Sequence, residues 1–241
     1  MFELRDFLGF SRNVIVAASC HGNDNTALVD ALKASEGLAR GVASIGPGTT
    51  DAELAALNKA GVRGIRFNFL RRLVETSTSH ELLMTGAARA ARLGWHIVIY
   101  FEAHDLDLVE PLIRSIPATV VLDHMSVPDV RKGIQHDDWQ RYLRLLDENN
   151  NIWVKVTCPE RISKSGPPYE DFLPFARSLT ERFSERLLWG TDWPHPNMAS
   201  HAPDDGELVD MIPKFAPTPA LQKALLVDNP ARLYWPEEQN R

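Results

Sequence analysis

Three polar residues follow the apolar run in "LLWGTDWPHPN" (187–197): Asp192, His195 and Asn197. A carboxylate at the end of a buried run can take a proton from water as a general base, or hold a cation, and a neighbouring His can donate or accept a proton. The same pattern recurs wherever an apolar run turns polar at its C-terminal end, in "ASCHGND", "RFNF", "YFEAHD", "LDHM" and "KVTCPER". His124 ends one such run in phase with Val120 and Leu122, and Asp123 has the opposite phase and would brace the outside. Tyr100 and Glu102 share one phase, as do Arg66 and Asn68. An inward-facing Arg66 needs a partner, because a buried unpaired guanidinium is costly. A ligand carboxylate is one partner and Glu102 the structural alternative. Arg72 and Arg161, taken singly, read as solvated charges. Three arginines converging on one mouth would instead make a site for bidentate carboxylate recognition.

Each residue also has a plainer reading. Asp192 can be a turn residue before Pro194, and a lone strand-end His is often structural. Cys20 beside His21 invites a thiol nucleophile, but adjacent strand residues point opposite ways. Only its position in an apolar strand supports a Schiff-base role for Lys155. A zinc site would draw on His124, Asp192, His104 and Glu102, yet no HxH pair occurs and a catalytic zinc needs about three fixed protein ligands. With two good candidates and two doubtful ones, the residues by themselves leave zinc open.

The elements that must position these groups are legible as an alternation. Short apolar runs (13–19, 41–46, 64–69, 96–103, 119–125, 152–158 and 186–192) alternate with amphipathic segments such as "DAELAALNKA" and "DFLPFARSLTERF". That alternation predicts parallel βαβ units with a sheet buried on both faces. Asp51 and Ser79 stand where N-caps would, and Gly61 and Gly94 where helices should stop. No GxGxxG follows any strand, and the polar residues lie at the C-terminal ends of many strands. This favours a (β/α)8 barrel of the TIM type over a dinucleotide fold. Seven strands are visible, and "MFELRDFLGF" reads as the helix leading into the first of them. The expectation is a barrel that lacks the usual first β-strand, in one domain over residues 1–241. Unpaired edges on such a sheet would invite self-association into a homo-oligomer.

Composition narrows the partners. The chain has 241 residues, 44% hydrophobic and 24% charged, enough to bury a sizeable core. A net charge of -6 argues against general attraction to nucleic acid or an anionic membrane. It leaves room for a small anionic ligand bound by local arginines. The two cysteines form no CxxC, and the N-terminus lacks a signal-peptide pattern. A cytoplasmic protein is expected.

Taken with "DHM", "YFEA", "GIRFNF" and "CPERIS", the motif "WGTDWPHPN" resembles the amidohydrolase superfamily. The resemblance is strongest to its 2-pyrone-4,6-dicarboxylate hydrolase branch and runs from Phe2 to "DNPARLYW". It implies a metal-independent lactonase of aromatic-acid catabolism. A strand-end Asp, here Asp192, activates water against the lactone carbonyl, and a histidine, here His124, polarises that carbonyl. Arg66, Arg72 and Arg161 match the carboxylate-binding arginines, Tyr100 the family tyrosine, and Ser19 and Asn197 further substrate contacts. His195 lies in the same loop. Two departures stand out. The family's first-strand HxH pair is missing, and "SVP" follows "DHM", with Val127 where an arginine is expected.

Overall fold

The computed structural model describes residues 1–69, 80–196, 198 and 202–238. Arg72, Ser79 and Asn197 therefore lie outside the described residues. All seven expected strands form: β1 (Asn13–Val16), β2 (Ala39–Ala43), β3 (Val62–Asn68), β4 (His96–Tyr100), β5 (Val120–Leu122), β6 (Ile152–Lys155) and β7 (Leu187–Leu188). They follow chain order in one sheet, β1-β2-β3-β4-β5-β6-β7. β1 with β2, β2 with β3, β3 with β4, and β6 with β7 pair in parallel. The fold is α/β. The helices that matter below are α1 (Phe2–Phe7), α2 (Thr26–Ala34), α3 (Asp51–Ala60), α4 (His80–Arg92), α5 (Leu106–Ser115), α6 (Asp137–Glu148), α7 (Pro159–Ile162) and α8 (Leu173–Phe183).

Contacts group the chain into two compact units, Met1–Tyr100 with Pro111–Val121, and Phe101–Glu110 with Leu122–Arg241. In the first unit β4 is buried at all five residues, as a parallel strand covered on both faces should be. β1, first in the strand order, is only half-buried throughout. A Cβ on Gly64 would stand 2.6 Å from the His96 ring, so the close approach of β3 to β4 requires a glycine there. Helix α3 starts one residue earlier than the Asp51 cap implies. Thr50 is the N-cap: its hydroxyl accepts from the Glu53 N–H at 3.2 Å, and the Glu53 carboxylate accepts from the Thr50 N–H at 2.6 Å. Asp51 is the first helical residue, where its charge still suits the positive helix end. Gly61 closes the helix in the left-handed region at φ 106°.

In the second unit, Leu122, Ile152, Val154, Leu187 and Leu188 carry the apolar register of the short strands. The amide of the buried Asn229 donates to the carbonyls of Ser184 at 2.7 Å and Leu187 at 2.8 Å. That pair of bonds ties the "DNPARLYW" helix to the start of β7. Among the described residues no helix is long and apolar enough to cross a membrane.

Candidate active site

Arg66, Asn68 and Tyr100 stay on their strands, whereas Asp192, His124 and Glu102 lie beyond the ends of theirs. β7 is only two residues long, so Asp192 stands on a turn four residues beyond Leu188, not on the strand. β5 ends at Leu122, and Asp123–Ser126 forms a tight 3-10 turn. β4 ends at Tyr100, so Glu102 belongs to the next turn. The turns depart from ordinary backbone as well. His124, Cys158, Asp192 and His195 have φ of 50°, 60°, 65° and 58°, and none is a glycine. Left-handed backbone at non-glycine residues costs roughly 1–3 kcal/mol each and gathers where a site overrides local preference. Three of these four, His124, Asp192 and His195, are residues whose types suggested chemistry; Glu36, Met125, Ser126, Val127 and Tyr169 share the left-handed backbone.

In the second unit these residues converge. His124 is buried at 5% exposure, and its Nε2 lies 3.7 Å from Oδ1 of Asp192. Oδ2 of Asp192 is taken by the guanidinium of Arg161 from α7. Arg161 is thus no solvated charge, with 12% of its side chain exposed against 21% for Asp192. On its other side His124 Nδ1 lies 2.6 Å from Thr157 Oγ1 and 3.0 Å from Cys158 Sγ. Burial pushes the Cys158 thiol well up, against the downward pull of the Arg161 guanidinium.

Behind this group lies a second buried one. His195 has Nδ1 at 3.8 Å from Glu160 Oε1 and Nε2 at 3.3 Å from Asp205 Oδ1. Its side chain is 3% exposed, so the structure places it between two carboxylates inside the protein rather than in an open binding surface. Burial raises the Glu160 carboxyl, opposed by its own backbone hydrogen bond, Arg161 and His195. Asp123 is also buried, against the expectation that it braces the outside, and pairs with Lys155 Nζ at 2.6 Å. That ion pair engages the amine a Schiff base would need. Glu102 and His104 face each other across 3.7 Å in an exposed pair. Beside the Asp123–Val127 turn opens a cavity of about 280 Å³ whose wall includes Val127, Arg131, Lys132, Ile162 and Lys164. Arg131 is held there by Asp129 and Lys132 by Asp138.

In the first unit, Ser19, Arg66, Asn68 and Tyr100 form a separate polar group. Arg66 donates to Ser19 Oγ at 3.3 Å and lies 5.4 Å over the Tyr100 ring. Asn68 reaches the same hydroxyl at 3.5 Å. Cys20, next to Ser19, is exposed.

Among the described residues, His124, Cys158 and Asp192 offer ligand atoms within 4.8 Å of one another, a donor set that could close on a divalent ion. The donors as they stand fit one poorly. The carboxylate already carries a guanidinium. Thr157, Cys158, Glu160 and Asp205 were not singled out by sequence. The polar turn "KVTCPER" carried the signal for the first three, and nothing local marks Asp205.

The amidohydrolase family profile matches residues 1–235. The chain is 55% identical over 246 residues to a 2-pyrone-4,6-dicarboxylate hydrolase of Comamonas testosteroni, covering 99% of this chain and 80% of that protein. It is 36% identical to a 4-sulfomuconolactone hydrolase of Rhizobium radiobacter, over 96% of this chain and 78% of the relative. A crystal structure of a probable 2-pyrone-4,6-dicarboxylic acid hydrolase from Acinetobacter baumannii, with citric acid bound, superposes with a TM-score of 0.83. That match has 26% identity and covers 97% of this chain and 87% of the other. The chain belongs to the amidohydrolase family, where these relatives are hydrolases of lactones.

Proposed function

We propose that this chain opens a carboxylated lactone of the 2-pyrone-4,6-dicarboxylate type, with Asp192 as the base. The observation that carries the reading is the convergence of Asp192, His124 and Arg161, supported by the relatives' activities. Asp192 takes a proton from water, and the oxygen attacks the lactone carbonyl. His124 Nε2–H polarises that carbonyl, so negative charge developing on its oxygen meets a fixed donor. Collapse breaks the ring C–O bond, and the enol oxygen of the pyrone departs. Its low basicity makes it a good leaving group.

Arg161 enters this scheme through competition. In this structure it holds Asp192. A substrate carboxylate offers the guanidinium a second partner, and shifting to it releases Asp192 for proton transfer. Arg66, with Ser19 and Tyr100, takes the role of a carboxylate contact, and Arg72 and Asn197 keep the roles the resemblance gives them. His195 is read as a brace for the Asp192 turn. Its backbone N–H donates to the Asp192 carbonyl at 2.8 Å. The seven strands belong to a TIM-type barrel that works as one catalytic domain in the cytoplasm. The half-buried β1 favours a homo-oligomer, which sedimentation over a range of concentrations tests.

Asp192→Asn should lower kcat by at least ~10²-fold while leaving the thermal midpoint within a few degrees. Turnover of 2-pyrone-4,6-dicarboxylate near the wild-type rate would remove Asp192 from the mechanism. A second reading rests on the His124–Cys158–Asp192 donor set: a zinc-dependent hydrolase of the same superfamily. Metal analysis of purified protein, with turnover before and after chelation, separates the two. Stoichiometric zinc with chelator-sensitive turnover would favour the second.

A further inference from the structure

His124 is surrounded on one side by two groups that the proposed reaction does not use. Thr157 Oγ1 and Cys158 Sγ both close on Nδ1, at 2.6 Å and 3.0 Å. All three side chains are buried, at 5%, 3% and 1% exposure, so no bulk water competes for these contacts. The opposite nitrogen, Nε2, faces the Asp192 carboxylate.

We propose that Thr157 and Cys158 are positioning residues that hold Nδ1 of His124 as a hydrogen-bond acceptor, so that Nε2 carries the ring proton and presents it on the Asp192 side. The inference deepens the reading of His124 as the carbonyl-polarising group. A neutral imidazole has one N–H and one lone pair, and the partner of one nitrogen fixes the state of the other. A threonine hydroxyl and a cysteine thiol are both X–H groups, and both close on Nδ1 here. In the opposite tautomer the Nε2 lone pair would face the Asp192 carboxylate, and lone pair against anion is repulsive. The Thr157 and Cys158 protons would also lose Nδ1 as their buried acceptor. Cys158 sits at φ 60° immediately before Pro159, the first residue of α7. That left-handed turn sends the thiol back towards His124 while α7 carries Arg161 to Asp192. One irregular turn thus serves both faces of the site.

The test reads the tautomer directly. Long-range 15N–1H correlation spectra of the full chain, with His124 assigned by difference from His124→Gln, should show the Nε2–H form in the wild type. Thr157→Val with Cys158→Ala should shift His124 towards the Nδ1–H form, and kcat should fall by about 10-fold or more with KM nearly unchanged. Thr157→Ser and Cys158→Ser keep an X–H donor and should keep the wild-type spectrum. They also carry the test if the double variant does not fold. An Nδ1–H signal in the wild type, or an unchanged His124 spectrum in the double variant, overturns the proposal whatever the turnover. A shifted tautomer with unchanged turnover upholds the positioning and instead removes His124 from the carbonyl-polarising role.

Discussion

Arg161 and Arg66 carry the same charge but make different contacts, and that difference separates two uses of an arginine. Arg66 leans on a serine hydroxyl and a tyrosine ring and takes the part of a carboxylate contact in the proposed reaction. Arg161 is bound to the proposed base itself. Arg66→Met should therefore raise KM by about 10-fold or more with a smaller change in kcat, as loss of a contact equal in ground and transition states does. Arg161→Met should lower kcat at least as much as it raises KM, because the carboxylate of Asp192 loses its organising partner. Steady-state kinetics on both variants decide it, and matching KM-only effects would show that Arg161 is just a second carboxylate contact. His124 and Asp192 were legible in sequence because each lies where an apolar run turns polar, and Arg66 because a guanidinium inside a strand needs a partner. The state of Arg161 was not, because an arginine in a loop looks solvated until the turn beyond another strand delivers its carboxylate. Thr157 and Cys158 are small and half-apolar, so neither type advertises a role. Their meaning comes from a histidine more than thirty residues earlier in the chain.

At the scale of the element, strand existence was readable and strand length was not. Apolar runs of seven residues predicted long strands, yet β5 keeps three residues and β7 two. The rest of the β5 run lines a turn that is itself buried, Asp123–Ser126, and the rest of the β7 run, 189–192, is half-buried. The turn after β5 keeps φ positive from His124 through Val127, with Val127 at 46°. A β-branched residue is a genuine outlier there, and left-handed backbone costs an L-residue roughly 1–2 kcal/mol. Val127→Gly should relieve that strain and raise stability by about 1 kcal/mol, less the chain entropy that glycine loses on folding. For a chain of this size that is a rise of roughly 2–4 °C in Tm. Calorimetry measures it, and a lower Tm would mean that Val127's packing outweighs its backbone strain.

For the molecule as a whole, pH sets two groups of carboxyls against each other. Asp24, Glu53, Asp129, Asp138 and Asp171 are held below their ordinary values by hydrogen bonds, Asp129 down to about 2 through the Arg131 guanidinium. A depressed carboxyl contributes stability above its unfolded value and loses it as pH falls through the folded one, so Asp129 acts between 3.8 and about 2. Asp24 and Glu53 are exposed and the other three half-buried, so salt and solvent screen each contribution. Glu160 has the opposite sign. Burial raises its carboxyl above 4.5, so its contribution is complete below that pH and is lost as pH rises through its folded value. Replacing it with Gln keeps the neutral shape and removes the titration. Glu160→Gln should therefore gain stability over the wild type as pH rises from 4 towards neutrality, with little difference at pH 4. Urea midpoints at pH 4, 5, 6 and 7 for both proteins measure this directly. If the variant instead falls further below the wild type as pH rises, the ionised Glu160 is a net stabilising partner of Arg161 and His195. The buried group behind the site would then be held together by charge rather than burdened by it.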